Sequence, residues 1–180
     1  TFDDLNSIAY GMDAFIAVGN GGALISSNEG LIWSPLNSNT PKNIRDIVFD
    51  GNRFVFVGDD GLIGISSDKN FWMIYSDPNA INPPTFDFDR IRYQDGFYVG
   101  IDTAGSLYYS FDLSNWTLRE IDHSNTISDL IKTDYGIEGR TIAVGSATTA
   151  FYADPVLNRA TATSSVSNGI VTSVTITNGG

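Results

Sequence analysis

The 180-residue chain contains no cysteine, which excludes disulfides, thiolate metal sites and a cysteine nucleophile. It has a single histidine, His123, which leaves almost no room for a histidine-based triad or a zinc site. Basic residues are scarce: ten Lys+Arg face 21 Asp+Glu, for a net charge of −11. That balance argues against nucleic acid or an anionic lipid surface as a partner. The longest apolar runs are four or five residues, as in Ala14–Val18, far too short to span a bilayer as a helix. What the chain does have is 42% hydrophobic residues, 12% aromatics and 18 glycines. That suffices for one ordinary domain with a real core and a small appendage.

The glycines and aromatics recur. Ser7–Trp33, Asp46–Trp72, Arg90–Trp116 and Asp129–Asp154 share one order of features. Each has a short apolar strand, a Gly/Asp/Asn turn, an apolar run with Val-Gly, a Gly-rich turn, another strand and an Asp/Asn turn. Trp33, Trp72 and Trp116 are 39 and 44 residues apart; Gly19, Gly58, Gly100 and Gly145 are 39, 42 and 45 apart. A period of this length with several strands per unit marks the blade of a β-propeller. Asp50-Gly51-Asn52 and Gln94-Asp95-Gly96 are hairpin turns whose residues tolerate positive φ. Phe15–Val18, Phe54–Val57, Phe97–Val99 and Thr141–Val144 do not alternate polar with apolar, as expected of strands covered on both faces. The expectation is an all-β fold of four blades, at about 7–37, 46–76, 90–119 and 129–154. An open stack of blades exposes an apolar face at each end. The ring is therefore expected to close, through these four blades or through further sequence.

Three blades carry a sharper mark: Ser26, Asn28, Gly30 and Trp33; Ser66, Asp68, Asn70 and Trp72; Ser110, Asp112, Ser114 and Trp116. These resemble the Asp-box, or BNR repeat, S-x-D-x-G-x-x-W, of sialidase-like propellers. The longer repeat, with its Val-Gly run before the box, is similar to that of photosystem II assembly-factor-like propellers and of propeller segments in tailed-phage structural proteins. In this reading the second and third boxes are one residue short and lack the glycine, and the fourth blade keeps only Asp154. The Asp accepts backbone N–H groups of its turn, Gly or Asn supplies a left-handed backbone, and the Trp ring covers the hairpin. The resemblance implies a structural role for the box, away from any catalytic centre.

Residues 1–155 thus read as blades, and 156–180 as a Ser/Thr/Gly-rich hairpin or linker into a further module. Ser167-Asn168-Gly169 is its turn signal. The run Asn168–Gly180 resembles small β-repeats of tailed-phage virion proteins. With a start at Thr1 and an end at Gly179-Gly180, the chain reads as a piece of something longer.

Residues arranged for catalysis are few. A sialidase needs three converging arginines, and only Arg45 and Arg90 occupy comparable places before a first strand. Glutamates are limited to Glu29, Glu120 and Glu138. Asp59, Asp60 and Asp102 follow apolar strands in Gly-rich turns, where acids can contribute to a calcium site, although a solvated turn is the plainer reading. The stretch Tyr75–Asp89 is the longest irregular connection. Its Tyr75, Phe86 and Phe88 either form a binding loop or pack onto the propeller. The expectation is a non-enzymatic structural or adhesive module of a phage virion, without catalytic residues, cofactor or metal. Its partners are other virion proteins or a host-surface glycan, within a symmetric assembly, with no nucleic acid and no membrane insertion. The alternatives are a secreted or lumenal assembly factor and, behind it, a sialidase-like glycosidase.

Overall fold

A computed structural model describes residues 4–75, 79–119, 126–133, 140–145, 150–153, 161–167 and 170–178. Asp154 and His123 lie outside them, as do the turn residues Asn168 and Gly169.

The first sheet comprises β1 (Leu5–Gly11), β2 (Ala14–Gly19), β3 (Leu24–Ser27) and β4 (Ser34–Pro35). The second has β5 (Ile44–Phe49), β6 (Phe54–Gly58), β7 (Ile63–Ser66) and β8 (Met73–Ile74). The third has β9 (Phe88–Gln94), β10 (Phe97–Asp102), β11 (Leu107–Ser110) and β12 (Thr117–Arg119). In each, consecutive strands pair antiparallel. These three blades form one compact unit.

The fourth sheet belongs to a second unit. It holds β13 (Ile127–Thr133), β14 (Arg140–Gly145), β15 (Ala150–Ala153), β16 (Thr161–Ser167) and β17 (Ile170–Asn178). Here the expected boundary after residue 155 falls inside a sheet. β16 pairs with β15 through Phe151–Thr163 and Tyr152–Ala162, so the tail hairpin adds the fourth and fifth strands. The Ser/Thr-rich run lacks aromatics, but its β-branched residues suit a sheet edge.

Register makes the sheets superimposable. Each first strand carries a bulge near its start: between Leu5 and Ser7, Ile44 and Asp46, and Ile127 and Asp129, with a matching shift opposite Phe88. At that level the second strand ends in Gly19, Gly58, Asp102 and Gly145. A Cβ on Gly19, Gly58 or Gly145 would lie 2.1, 2.0 or 1.9 Å from the carbonyl oxygen of Asp4, Asn43 or Thr126. The entering chain crosses there too tightly for a side chain. The expected match of Gly100 to these glycines is therefore wrong: Gly100 pairs with Ile91, two residues upstream, and Asp102 takes the glycine position.

Between blades, the closest packing is between first strands. One core cluster joins Ile16, Val18 and Leu24 of the first blade to Ile47, Phe54, Phe56 and Trp72 of the second. Another joins Val55, Val57 and Ile63 of the second to Ile91, Tyr98 and Trp116 of the third. The leading face of a blade is rich in rings, and the trailing face of the blade before it is branched aliphatic. Both faces of β6 are thus covered, which explains why Phe54–Gly58 is buried throughout and does not alternate.

Gly58→Ala forces a methyl group against the Asn43 carbonyl. A loss of about 2–3 kcal/mol is expected in chemical denaturation, and an unchanged midpoint would contradict this packing.

Candidate functional site

The three serine–tryptophan bends are alike. Ser66 and Ser110 close β7 and β11, and each hydroxyl donates to the aspartate two residues on, Asp68 at 3.3 Å and Asp112 at 3.2 Å. Asp68 Oδ1 accepts the N–H groups of Asn70 (3.0 Å) and Phe71 (2.8 Å). Asp112 Oδ1 accepts those of Ser114 and Asn115, both at 2.8 Å. The backbone turns at Lys69 (φ 62°) and Leu113 (φ 67°). Each indole N–H donates to the carbonyl three residues back: Trp72 to Lys69 at 3.1 Å and Trp116 to Leu113 at 2.9 Å.

The first blade shares this geometry one residue later than the sequence suggested. Ser27, not Ser26, aligns with Ser66 and Ser110, since Phe15–Ser27 matches Phe54–Ser66 and Tyr98–Ser110. Ser27 Oγ accepts the Gly30 N–H at 2.9 Å, as Ser110 Oγ accepts that of Leu113. Ser26 instead pairs with Ser34 in the ladder. Glu29 occupies the aspartate position and Asn28 precedes it. Gly30 (φ 77°) takes the left-handed position, and Trp33 donates to its carbonyl at 3.2 Å. All three bends therefore have the same length. Lys69 and Leu113 stand where glycine is easiest, but their side chains are engaged. Lys69 Nζ donates to the Met12 carbonyl of the first blade, and Leu113 is buried in the second core cluster. Trp72 and Trp116 reach beyond their own hairpins into the seams between blades, against Phe56 (5.2 Å, stacked) and Phe88 (5.0 Å, edge-on).

The candidate binding loop is not brought together as an exposed surface. Phe88 is a fully buried strand residue. Phe86 stacks on Tyr108 with ring centroids 3.9 Å apart. The Tyr75 hydroxyl bonds the Ser114 hydroxyl at 2.8 Å and donates to the Asp112 carbonyl at 3.2 Å. These rings pack onto the propeller. The same connection is tied down at Ile81 and Asn82, whose N–H groups donate to Asn115 Oδ1.

Some of the acids join blades, whereas most ion pairs stay within one. Buried Asp46 accepts from the Ser7 hydroxyl, from the Ile91 N–H at 2.9 Å and from the Arg92 guanidinium at 2.7 Å, so it bridges all three blades. Asn43 Oδ1 accepts the Gly21 N–H and Asp87 Oδ1 that of Asp60, at 3.0 and 2.7 Å. These latches were missed in the sequence. Their signal was a polar residue at one position of successive repeats, as Asn43 before Ile44 and Asp87 before Phe88 are. Arg45 pairs with Asp59 at 2.6 Å and Arg90 with Asp89 at 3.3 Å. Their registers differ: Arg45 lies at the bulge, while Arg90 lies one residue later. The calcium candidates separate: Asp59 takes Asn43 and Arg45, Asp60 takes Lys42, and Asp102 lies near Tyr108.

Across the second seam, Asp50 accepts the N–H groups of Asn52 and Arg53, the Arg53 guanidinium and the Tyr98 hydroxyl. Burial raises the Asp50 pKa, but the Tyr98 hydroxyl and the other donors outweigh it and hold the carboxyl below its ordinary value. Tyr98 is pushed up to about 12, first by burial and then by the Asp50 carboxylate.

One open cleft, of about 430 Å³, lies between the outer edge of the second blade and the bend of the third. Ile74, Tyr75, Pro83, Pro84 and Ser114 form its sides, with the exposed Lys42–Asp60 pair (3.3 Å) on its lining. Its lining is mixed, with Asn39, Thr40, Lys42, Asp60 and Ser114 beside Leu62, Ile63, Ile74 and the two prolines.

No protein-family model matches the chain, and no curated protein matches it. Solved structures do. YCF48 bound to D1 peptide is 16% identical over 85% of this chain and 49% of that one, with a TM-score of 0.63. The WD40 β-propeller domain of Doa1 is 10% identical over 96% of this chain and 68% of that one, also at 0.63. The fold is a β-propeller. YCF48 from Cyanidioschyzon merolae is 15% identical over 87% and 55%, with a TM-score of 0.59. This propeller chain spans about half the length of the two YCF48 chains. At these identities the likeness is one of fold.

Two outcomes are expected from the bends and the pin. Ser27→Ala costs about 1 kcal/mol in denaturation, through loss of the acceptor for the Gly30 N–H, whereas Ser26→Ala costs little. The Asp50–Tyr98 pin contributes fully between the ordinary carboxylate pKa, about 4, and the ordinary phenol pKa, about 10. Its contribution falls away as pH drops through the lowered Asp50 value, and again as pH rises through about 12 for Tyr98. Spectrophotometric titration should show a late phenol that Tyr98→Phe removes.

Proposed function

We propose that the chain is a non-enzymatic attachment module of a tailed-phage virion, in the tail, a fibre or a surface decoration. It serves as a rigid platform for another virion protein or a host-surface glycan, and no cofactor or metal enters this reading. The observation that carries the non-enzymatic part is the use of the acids. Asp46, Asp50, Asp68 and Asp112 each hold backbone N–H groups or a neighbouring blade. A glycosidase needs two carboxylates set across a cleft and aimed at a bond. Among the described residues, one acid lines the open cleft beside Tyr75, Asp60, and it is paired with Lys42.

Attachment to protein is supported by the cleft and by the likeness in fold to a propeller solved with a peptide. The virion context rests on the resemblance of Asn168–Gly180 to virion β-repeats. A secreted or lumenal assembly factor is the second reading, favoured by the repeat style and by the YCF48 folds.

Antibodies raised against the chain should label phage particles at regularly repeated positions in electron micrographs. Labelling confined to a host compartment would favour the assembly factor. A panel of fluorogenic sialosides should remain unhydrolysed, and turnover of any member would end the non-enzymatic reading.

A further inference from the structure

The seam between the first two blades holds a chemically labile pair. Asn20-Gly21 begins the 3-10 turn Asn20–Gly22 between β2 and β3, with Gly21 exposed and at φ 62°. Asparagine followed by glycine is the pair in which the main chain most easily attacks a side-chain amide, because no side chain shields the glycine nitrogen or limits its rotation. Hydroxide takes the Gly21 N–H proton, the nitrogen bonds Asn20 Cγ, and the side-chain amide leaves as ammonia. Water then opens the cyclic imide. Opening at one carbonyl leaves aspartate in a normal chain. Opening at the other leaves isoaspartate, with the main chain running through the side-chain carbon.

In the folded chain both reacting groups are held. The Gly21 N–H donates to Asn43 Oδ1 of the second blade at 3.0 Å. The Asn20 carboxamide oxygen accepts from Asn6 Nδ2 at 2.9 Å, and the Asn20 N–H donates to the Asp4 carbonyl at 2.9 Å. Asn43 is itself oriented, since its Nδ2 donates to Asp59, which also takes Arg45. Removing the Gly21 proton breaks the bond to Asn43, so the reaction waits for the two blades to part at this point. The second seam has the same latch, from the Asp60 N–H to Asp87. Its pair is Asp59-Asp60, which has no side-chain amide to lose.

We propose that Asn20 is a deamidation site whose rate is set by the Asn43 latch, so that separation of the first two blades is recorded irreversibly in the chain. Isoaspartate adds a further carbon to the main chain ahead of Gly21. That moves the Gly21 N–H off Asn43, and the seam does not relock. The inference rests on the seam and is independent of the attachment reading.

The test is peptide mapping by mass spectrometry after incubation of the full chain at mildly alkaline pH, following conversion of the Asn20 amide to acid. The folded wild type should convert much more slowly than the same chain in urea. Asn43→Ala should raise the folded rate about fivefold, the extra opening that loss of one hydrogen bond allows. Ser110→Ala removes a comparable bond in the third bend and should leave the rate unchanged. Denaturation midpoints check that both variants fold. Hydrogen exchange reads the latch without any substitution: the Gly21 amide of the wild type should exchange slowly although it is exposed. Free exchange there overturns the proposal, as do equal conversion rates in the folded and unfolded wild type or no conversion in either. An Asn43→Ala rate equal to that of the wild type overturns it too. So does a Ser110→Ala rate raised as far as that of Asn43→Ala, because global unfolding is then the cause.

Discussion

Every seam in the first unit fills one narrow space between a layer of rings and a layer of branched aliphatics. The bulk sits in different places in successive seams. In the second blade Phe56 lies over Gly64 on the neighbouring strand, where a Cβ would be 2.1 Å from the ring. In the third blade the order is reversed: Gly100 faces Tyr108, and Phe88 and Trp116 close over the glycine. The sum of the volumes is kept while the positions exchange. Dense packing of this kind ties the angle between blades to the side chains in the seam, so the entry loops, bends and latches all inherit their placement from it.

The polar groups then fix what packing leaves free. Apolar faces alone tolerate sliding. Asp46, which takes donors from the blades on both sides, allows one register. The Asn43 and Asp87 side chains do the same for the turns between second and third strands. The three blades of the first unit are thereby held in a single register.

The blade count, the hairpin turns and the doubly covered strands were legible because period and apolar runs report burial directly. The slips are as physical. The Ser26-Ser27 doublet offered two registers for the first bend, and only the ladder opposite Phe15 selects Ser27. Gly100 resembled Gly58 by its Val-Gly context, yet it is small to make room for rings rather than for a crossing carbonyl. The tail seemed separate because its composition changes, but strand pairing needs backbone groups, and these are blind to composition. The seam latches were missed because a repeated polar position does not say which atom of the next blade it reaches.

The Phe56–Gly64 and Gly100–Tyr108 pairs also constrain history. A repeat that duplicates and then drifts cannot move its bulk from one strand to the next in a single step. Losing the ring first opens a hole; gaining the second ring first makes a collision. Either intermediate weakens the seam, so the two positions must change together or behind a temporary compensation elsewhere. The second and third blades are therefore not interchangeable strand by strand: in each, the ring and the glycine opposite it have to travel together.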